Sequence, residues 1–124
     1  GSGTNFWPFV NEELEYVGST ILHIDAGIDT GDIISHERPK IEIGDNGCKV
    51  IQASVECPVQ MMEQIKEGKK LNRITQWKVS NERYYKANNF NEEILVTYKR
   101  NLDNGLIENF LMNSPEDPKL ISKN

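Results

Sequence analysis

No stretch of this chain approaches the roughly 18 consecutive apolar residues of a membrane-spanning helix. Its first residues carry neither the positive cluster nor the apolar run of a secretory signal. No membrane partner is expected. Basic residues are in deficit: 14 Lys and Arg against 19 Asp and Glu leave a net charge of −5, and no basic block stands apart from the rest. A nucleic-acid backbone is therefore not an expected partner. Cysteine is scarce, with only Cys48 and Cys57 present. On one helix these would lie about 13 Å apart along the axis and on opposite sides, beyond the roughly 7 Å Cα separation that a disulfide spans. Reduced thiols in a cytoplasmic protein follow as the expectation, and without ligand-spaced neighbours no metal is expected. There is no glycine-rich phosphate loop between a strand and a helix, no internal repeat and no low-complexity tract. What remains is 124 residues, enough for one domain that buries about two-thirds of its unfolded surface.

The richest stretch is Gly18 to Ile34, GSTILHIDAGIDTGDII. Ser19 to Asp25 is β-branched or apolar at most positions, the pattern of a strand buried on both faces. Asp29-Thr30-Gly31-Asp32 interrupts it with turn residues, and Ile33-Ile34 resumes it. A second strand is expected from Asp32 to Ile43, with Pro39 near an edge because proline donates nothing to a ladder. Strand, tight loop and strand make an antiparallel excursion whose loop carries the first candidate for chemistry, the carboxylate of Asp29.

The flanks read as support. Thr4 or Asn5 caps a helix over about 5–14, with Pro8 harmless in its first turn. Asp45 or Asn46 caps a second over about 46–69, whose stripe of Ile51, Val55, Pro58, Met62 and Ile65 Pro58 should kink. Met61 and Met62 read as core filler. Ile74 to Val79 and Arg83 to Lys86, around Ser80-Asn81-Glu82, read as a small aromatic hairpin. Asn91 caps a third helix over about 91–112, with Phe90 and Leu95 placed for a hydrophobic staple and Asn104-Gly105 ending or bending it. Residues 114–124 read as a mobile polar tail after a domain spanning 1–113.

The run of Gly18, Thr20, Asp25, Gly27, Asp29, Thr30, Gly31 and Ile34 resembles the signature of folate-dependent formyltransferases. The likeness extends upstream through Gly3-Thr4-Asn5-Phe6-Trp7-Pro8. Downstream it passes through Gly44-Asp45-Asn46, Gln76-Trp77 and Tyr84-Tyr85-Lys86, and there looks most like the branch acting on amino sugars of surface polysaccharides such as lipopolysaccharide. The resemblance implies an α/β fold, the C-terminal part of a Rossmann-like sheet with a strand-loop-strand unit flanked by helices. It also implies transfer of a formyl group from 10-formyltetrahydrofolate to an amino sugar on a nucleotide carrier, a small-molecule substrate. Asp29 falls on the position of the catalytic aspartate, and Gly27, Ile28, Thr30 and Gly31 on the wall of the folate pocket.

The family's usual strand histidine falls on Leu22, whereas the histidine here is His23, turned to the other face by the one-residue step. The family's asparagine and second histidine lie in a short Asn-x-His segment just ahead of the position of Gly1. The resemblance therefore implies an N-terminal half that completes both sheet and site; without it, the chain should be silent and associate through an exposed sheet edge. Each candidate also has a plainer reading. Asp29 fits an Asx-type turn bonded to its own loop. His23, a substrate-binding candidate, fits a strand imidazole satisfied by a neighbour, Asp25 being the nearest on its face. Trp7, the other substrate-binding candidate, fits a core aromatic anchoring its helix. His36, between charged neighbours, reads as solvated. The alternative at the level of the whole chain is a non-catalytic binding or assembly module that keeps the fold and the loop.

Overall fold

The computed structural model describes residues 3–80 and 82–121, so the expected turn residue Asn81 and the last three residues of the expected tail lie outside the described residues. The fold is small and mixed α/β. In order it runs α1 (Trp7–Val10), a 3₁₀ turn (Leu14–Tyr16), β1 (Ser19–Leu22), β2 (Ile33–Glu37), α2 (Gly47–Glu56), α3 (Val59–Lys66), a second 3₁₀ turn (Ala87–Asn89), α4 (Glu92–Asp103) and α5 (Leu106–Asn113). β1 and β2 form a two-stranded antiparallel sheet in the register Ser19↔Glu37, Thr20↔His36, Ile21↔Ser35 and Leu22↔Ile33, with an irregularity between Ile21 and Leu22.

The excursion is as expected in direction but shorter in both arms. β1 ends at Leu22 rather than Asp25: His23 N–H still donates to Asp32 at 2.9 Å, and beyond it Ile24 is wholly exposed. β2 ends at Glu37, two residues before Pro39. The strand buried along its length is also the second and not the first, with Ile33, Ile34, Ser35 and Glu37 buried while Thr20 is exposed. Burial of Ser35 and Glu37 is tolerable because the serine hydroxyl donates to the carboxylate at 3.0 Å. β2 is buried because chain covers its other edge as well: Ile74 exchanges backbone hydrogen bonds with Ile33, and Ile121 accepts from His36 N–H at 2.8 Å.

That covering replaces the expected hairpin. Ile74 bridges to β2 rather than to residues 83–86, whose side chains turn to α1 and its exit, Arg83 to Glu13 and Tyr85 to Trp7 and Asn11. Trp77 and Tyr85 serve separate long-range contacts, with His36 and Trp7, rather than pairing across a ladder. Residues 114–121 also reach back to this region, through Asp117 on Arg38 at 2.6 Å and Ile121 on His36. His36 itself is half-buried and hydrogen-bonded, not solvated.

Local rules decide the helices. Asn46 accepts from Lys49 N–H and Asn91 from Ile94 N–H, the two expected caps. Near the N-terminus neither Thr4 nor Asn5 caps α1; Asn5 Oδ1 accepts from Gly18 N–H at 2.9 Å, steering the chain into β1. The left-handed backbone of Glu12 separates α1 from the turn that follows, splitting the single helix expected there. Pro58 breaks the second helix outright. Having no N–H, it leaves the Ser54 carbonyl without its helical donor, and that oxygen instead accepts from Ser19 Oγ at 2.6 Å and Cys57 Sγ at 3.3 Å. A helix defect thus becomes the tie between α2 and β1. Gly105, at φ 86°, separates α4 from α5.

The core gathers Phe9, Leu14 and Val17 from the N-terminal turns, Val50 from α2, and Leu106 and Ile107 from α5, with Tyr98 and Leu102 of α4 packed on it. Among the described residues no helix is long and apolar enough to cross a membrane, and no group of three or more His, Cys, Asp or Glu is placed to hold a metal. The two methionines of α3 differ sharply: Met61 is 1% exposed and Met62 53%. Met61→Ala should cost about 2–5 kcal/mol, the usual penalty for truncating a buried side chain, and Met62→Ala below about 1 kcal/mol, as read from urea unfolding midpoints.

Candidate functional site

The loop from Asp25 to Asp32 has two halves, each closed by a different device. In the first, Asp25 Oδ1 accepts from Gly27 N–H at 3.0 Å and from Thr30 Oγ1 at 2.6 Å. This is an Asx turn, and the Thr30 hydroxyl foremost, then the Gly27 amide, holds the Asp25 carboxyl below its ordinary value. Because the folded value is lowered, the contribution is present above pH 3.8 and is lost as the pH falls through the lowered value. Asp25 is therefore not the partner of His23, as the strand period had implied. The chain leaves strand geometry at Leu22, and the alternation that would align the two side chains ends there.

The second half is held from across the molecule. Gln76 Nε2 donates to the carbonyls of Asp29 and Gly31, both at 2.8 Å, so one carboxamide clamps the loop on either side of Thr30. Gly31 is buried against the backbone of His23, where any Cβ would overlap the His23 carbonyl oxygen. Only glycine fits there.

Asp29 sits at the apex with φ 54°, a left-handed conformation that aspartate tolerates. Its backbone carbonyl is taken by Gln76, while its carboxylate is exposed and receives no hydrogen bond from the described residues. The turn-forming role that the plainer reading gave to Asp29 belongs to Asp25. Asp29 borders a cleft of about 400 Å³ lined also by Thr20 and Leu22 of β1, by His23, and by Ile24, Asp25 and the rest of the loop from Gly27 to Gly31. Ile24 and Ile28 are 100% and 90% exposed, an apolar rim around an acidic apex.

The structure thus brings Gly27, Ile28, Asp29, Thr30, Gly31 and His23 to one cleft and leaves Trp7 elsewhere. Trp7 stacks on Tyr85 at 3.9 Å and 7°, and meets Phe6 edge-on, in an aromatic cluster with Phe90 and Tyr98. His23 lines the cleft with both ring nitrogens engaged. Arg73 lies 3.2 Å from Nδ1 and, as an obligate donor, makes that nitrogen the acceptor; Nε2 then donates to the Asn72 carbonyl at 2.9 Å. Arg73 also lies 3.5 Å from Asp32.

Chemically the cleft offers one carboxylate without a hydrogen bond from the described residues, on a braced loop that also carries two exposed apolar side chains. Gln76, Asn72 and Arg73 carry no spacing signal linking them to the loop, from which they are distant in the chain. Gln76 is the one visible in the resemblance, though without a role. No family model, curated protein or solved structure matches the chain.

Gln76→Ala removes both clamp bonds and should lower unfolding stability by about 1–3 kcal/mol, the range for a few uncompensated hydrogen bonds. Gly31→Ala drives a methyl group into backbone and should cost at least about 1–3 kcal/mol. Denaturant titration of both variants checks these values, and a fully stable Gly31→Ala protein would contradict the packing described for the loop.

Proposed function

We propose that this chain supplies the carboxylate wall of a formyltransferase site, acting with 10-formyltetrahydrofolate on the amine of an amino sugar carried by a nucleotide. The observation that carries the reading is Asp29: a carboxylate without an internal hydrogen bond, at the apex of a loop that Asp25 and Gln76 brace from either side. The sequence resemblance supplies the identity of the reaction, and the geometry supplies a group able to take part in it.

In that reaction the neutral amine attacks the formyl carbon. A carbon–nitrogen bond forms and the carbonyl electron pair moves onto oxygen; the bond to the folate nitrogen then breaks, and that nitrogen takes up a proton as the carbonyl returns. Asp29 accepts the proton that the attacking amine loses and directs it toward the leaving nitrogen, a general acid/base role. No bond to the protein forms. Ile24 and Ile28 offer apolar contact to the planar folate ring beside it. The imidazole and carboxamide that complete the site in the family belong to the Asn-x-His segment, and His23 does not replace them, because Asn72 and Arg73 occupy both of its nitrogens.

The sheet is part of the same reading. Among the described residues the outer edge of β1 has no strand partner, and we place the continuation of a Rossmann-like sheet there, with self-association through that edge in its absence. The cellular setting in this reading is the cytoplasm, where sugar nucleotides for lipopolysaccharide are made. The engaged His23 favours the second reading, a binding module that keeps the loop without turnover; it predicts folate binding with no formyl transfer.

The test uses the product of the longest open reading frame encoding this chain. Asp29→Asn should lower turnover with an amino-sugar nucleotide by at least about 100-fold, the low end for general acid/base groups. Turnover near wild type would remove Asp29 from the mechanism. Activity on glycinamide ribonucleotide and on no amino sugar would overturn the substrate while leaving the reaction.

A further inference from the structure

The last described residues run back past β2 and touch the rest of the molecule at three points, one of them on the strand itself. Asp117 pairs with Arg38 at 2.6 Å, Lys119 Nζ lies 4.1 Å above the Trp77 ring, and Ile121 bonds His36 twice. Of these last contacts one is backbone, His36 N–H to the Ile121 carbonyl at 2.8 Å. The other is Ile121 N–H to the His36 ring at Nδ1, also 2.8 Å. A ring nitrogen accepts only when unprotonated, so this contact requires the neutral Nε2–H form of the imidazole.

Trp77 connects this contact to the cleft. Its ring lies 5.7 Å from the His36 ring and carries Lys119, and its preceding neighbour is Gln76, which clamps the Asp29 loop. We propose that residues 117–121 form a strap latched to β2 through neutral His36, and that protonating His36 opens the strap and slackens the Gln76 clamp. The second half of this statement rests on the reading of the Asp29 loop as the reacting site; the latch does not.

Few charges stand near enough to resist the change. Arg38 and Asp117 are paired with each other, Lys119 is on Trp77, and exposed Lys78 follows Trp77 in the chain. Glu37, next to His36 in β2, projects to the opposite, buried face and accepts from Ser35. β1 contributes Ser19 to Leu22, none of which titrates. A proton on His36 thus finds no carboxylate among these groups ready to receive it, and it turns an acceptor into a donor facing the Ile121 amide. Burial holds the imidazole below its ordinary value of 6.5. The folded value being lowered, the latch is at full strength above pH 6.5 and is lost as the pH falls through the lowered value.

The experiment follows amide exchange of the full chain by NMR between pH 8 and pH 5, corrected for intrinsic rates, at the Ile121 backbone amide and the Gln76 side-chain amide. Protection at Ile121 should hold from pH 8 to pH 7 and be lost on acidification, with Gln76 following. His36→Asn keeps an acceptor that does not titrate and should stay protected throughout, whereas His36→Phe should be unprotected at every pH; circular dichroism confirms that each variant is folded. Equal protection of Ile121 at pH 8 and pH 5 in the unsubstituted chain, or pH-dependent loss persisting in His36→Asn, would overturn the latch. Loss at Ile121 with Gln76 unchanged would overturn the link to the loop. No readout involves turnover, so absent formyl transfer would count against the reading of the site and leave the latch standing.

Discussion

The candidate site and the segments around it lean on the backbone of β2. A strand buried along its length must satisfy its peptide groups on both edges, and here three separate stretches do so: β1 on one side, and Ile74 and Ile121 at successive points of the other. The sheet has two strands by its ladder, yet its second strand is enclosed like the middle of a larger sheet. That enclosure brings residues 72–77 beside the β1–β2 loop, and so brings Gln76 within reach of Asp29 and Gly31. The loop is ordered by what the central strand requires of its neighbours, more than by its own turn residues.

Much of this frame is legible in the chain, and what is legible is local. Asn46 and Asn91 cap helices a few residues away, Pro58 and Gly105 interrupt helices at their own positions, and the Asp-rich loop between two apolar runs announces a reversal. Each of those signals acts through the backbone within a turn or two. The readings that fail depend on partners distant in sequence. The aromatic segments 74–79 and 83–86 satisfy every rule for a hairpin, but Ile74 finds a better partner in β2 and Tyr85 in Trp7. The contacts of residues 114–121 likewise depend on a histidine and an arginine about 80 positions earlier. Composition carries no trace of such pairings.

The candidate site divides in the same way. Its apex, Asp29 with Gly27, Thr30 and Gly31, stands out from sequence because turn chemistry concentrates there. Which of the two aspartates closes the turn and which is left exposed is a matter of geometry: Asp25 is aimed at the Gly27 amide and the Thr30 hydroxyl, and Asp29 is not. His23 illustrates the converse. Its plainer reading as an imidazole satisfied by a neighbour points to Asp25, the nearest residue on its face, yet the neighbours that use both of its nitrogens are Arg73 and Asn72, from a segment with no visible connection to it.

The left-handed backbone at Asp29 limits what residue 29 can become. At φ 54° glycine, asparagine and aspartate are accommodated cheaply, while longer or branched side chains meet steric resistance. Of those three, only aspartate carries a charge. Glutamate would keep the carboxylate at the cost of the backbone, and asparagine or glycine would keep the backbone without the carboxylate. Drift at this position is therefore channelled toward neutral residues that leave the loop intact. A descendant that lost the carboxylate would still fold, and the loss would be written in one letter of an otherwise unchanged turn.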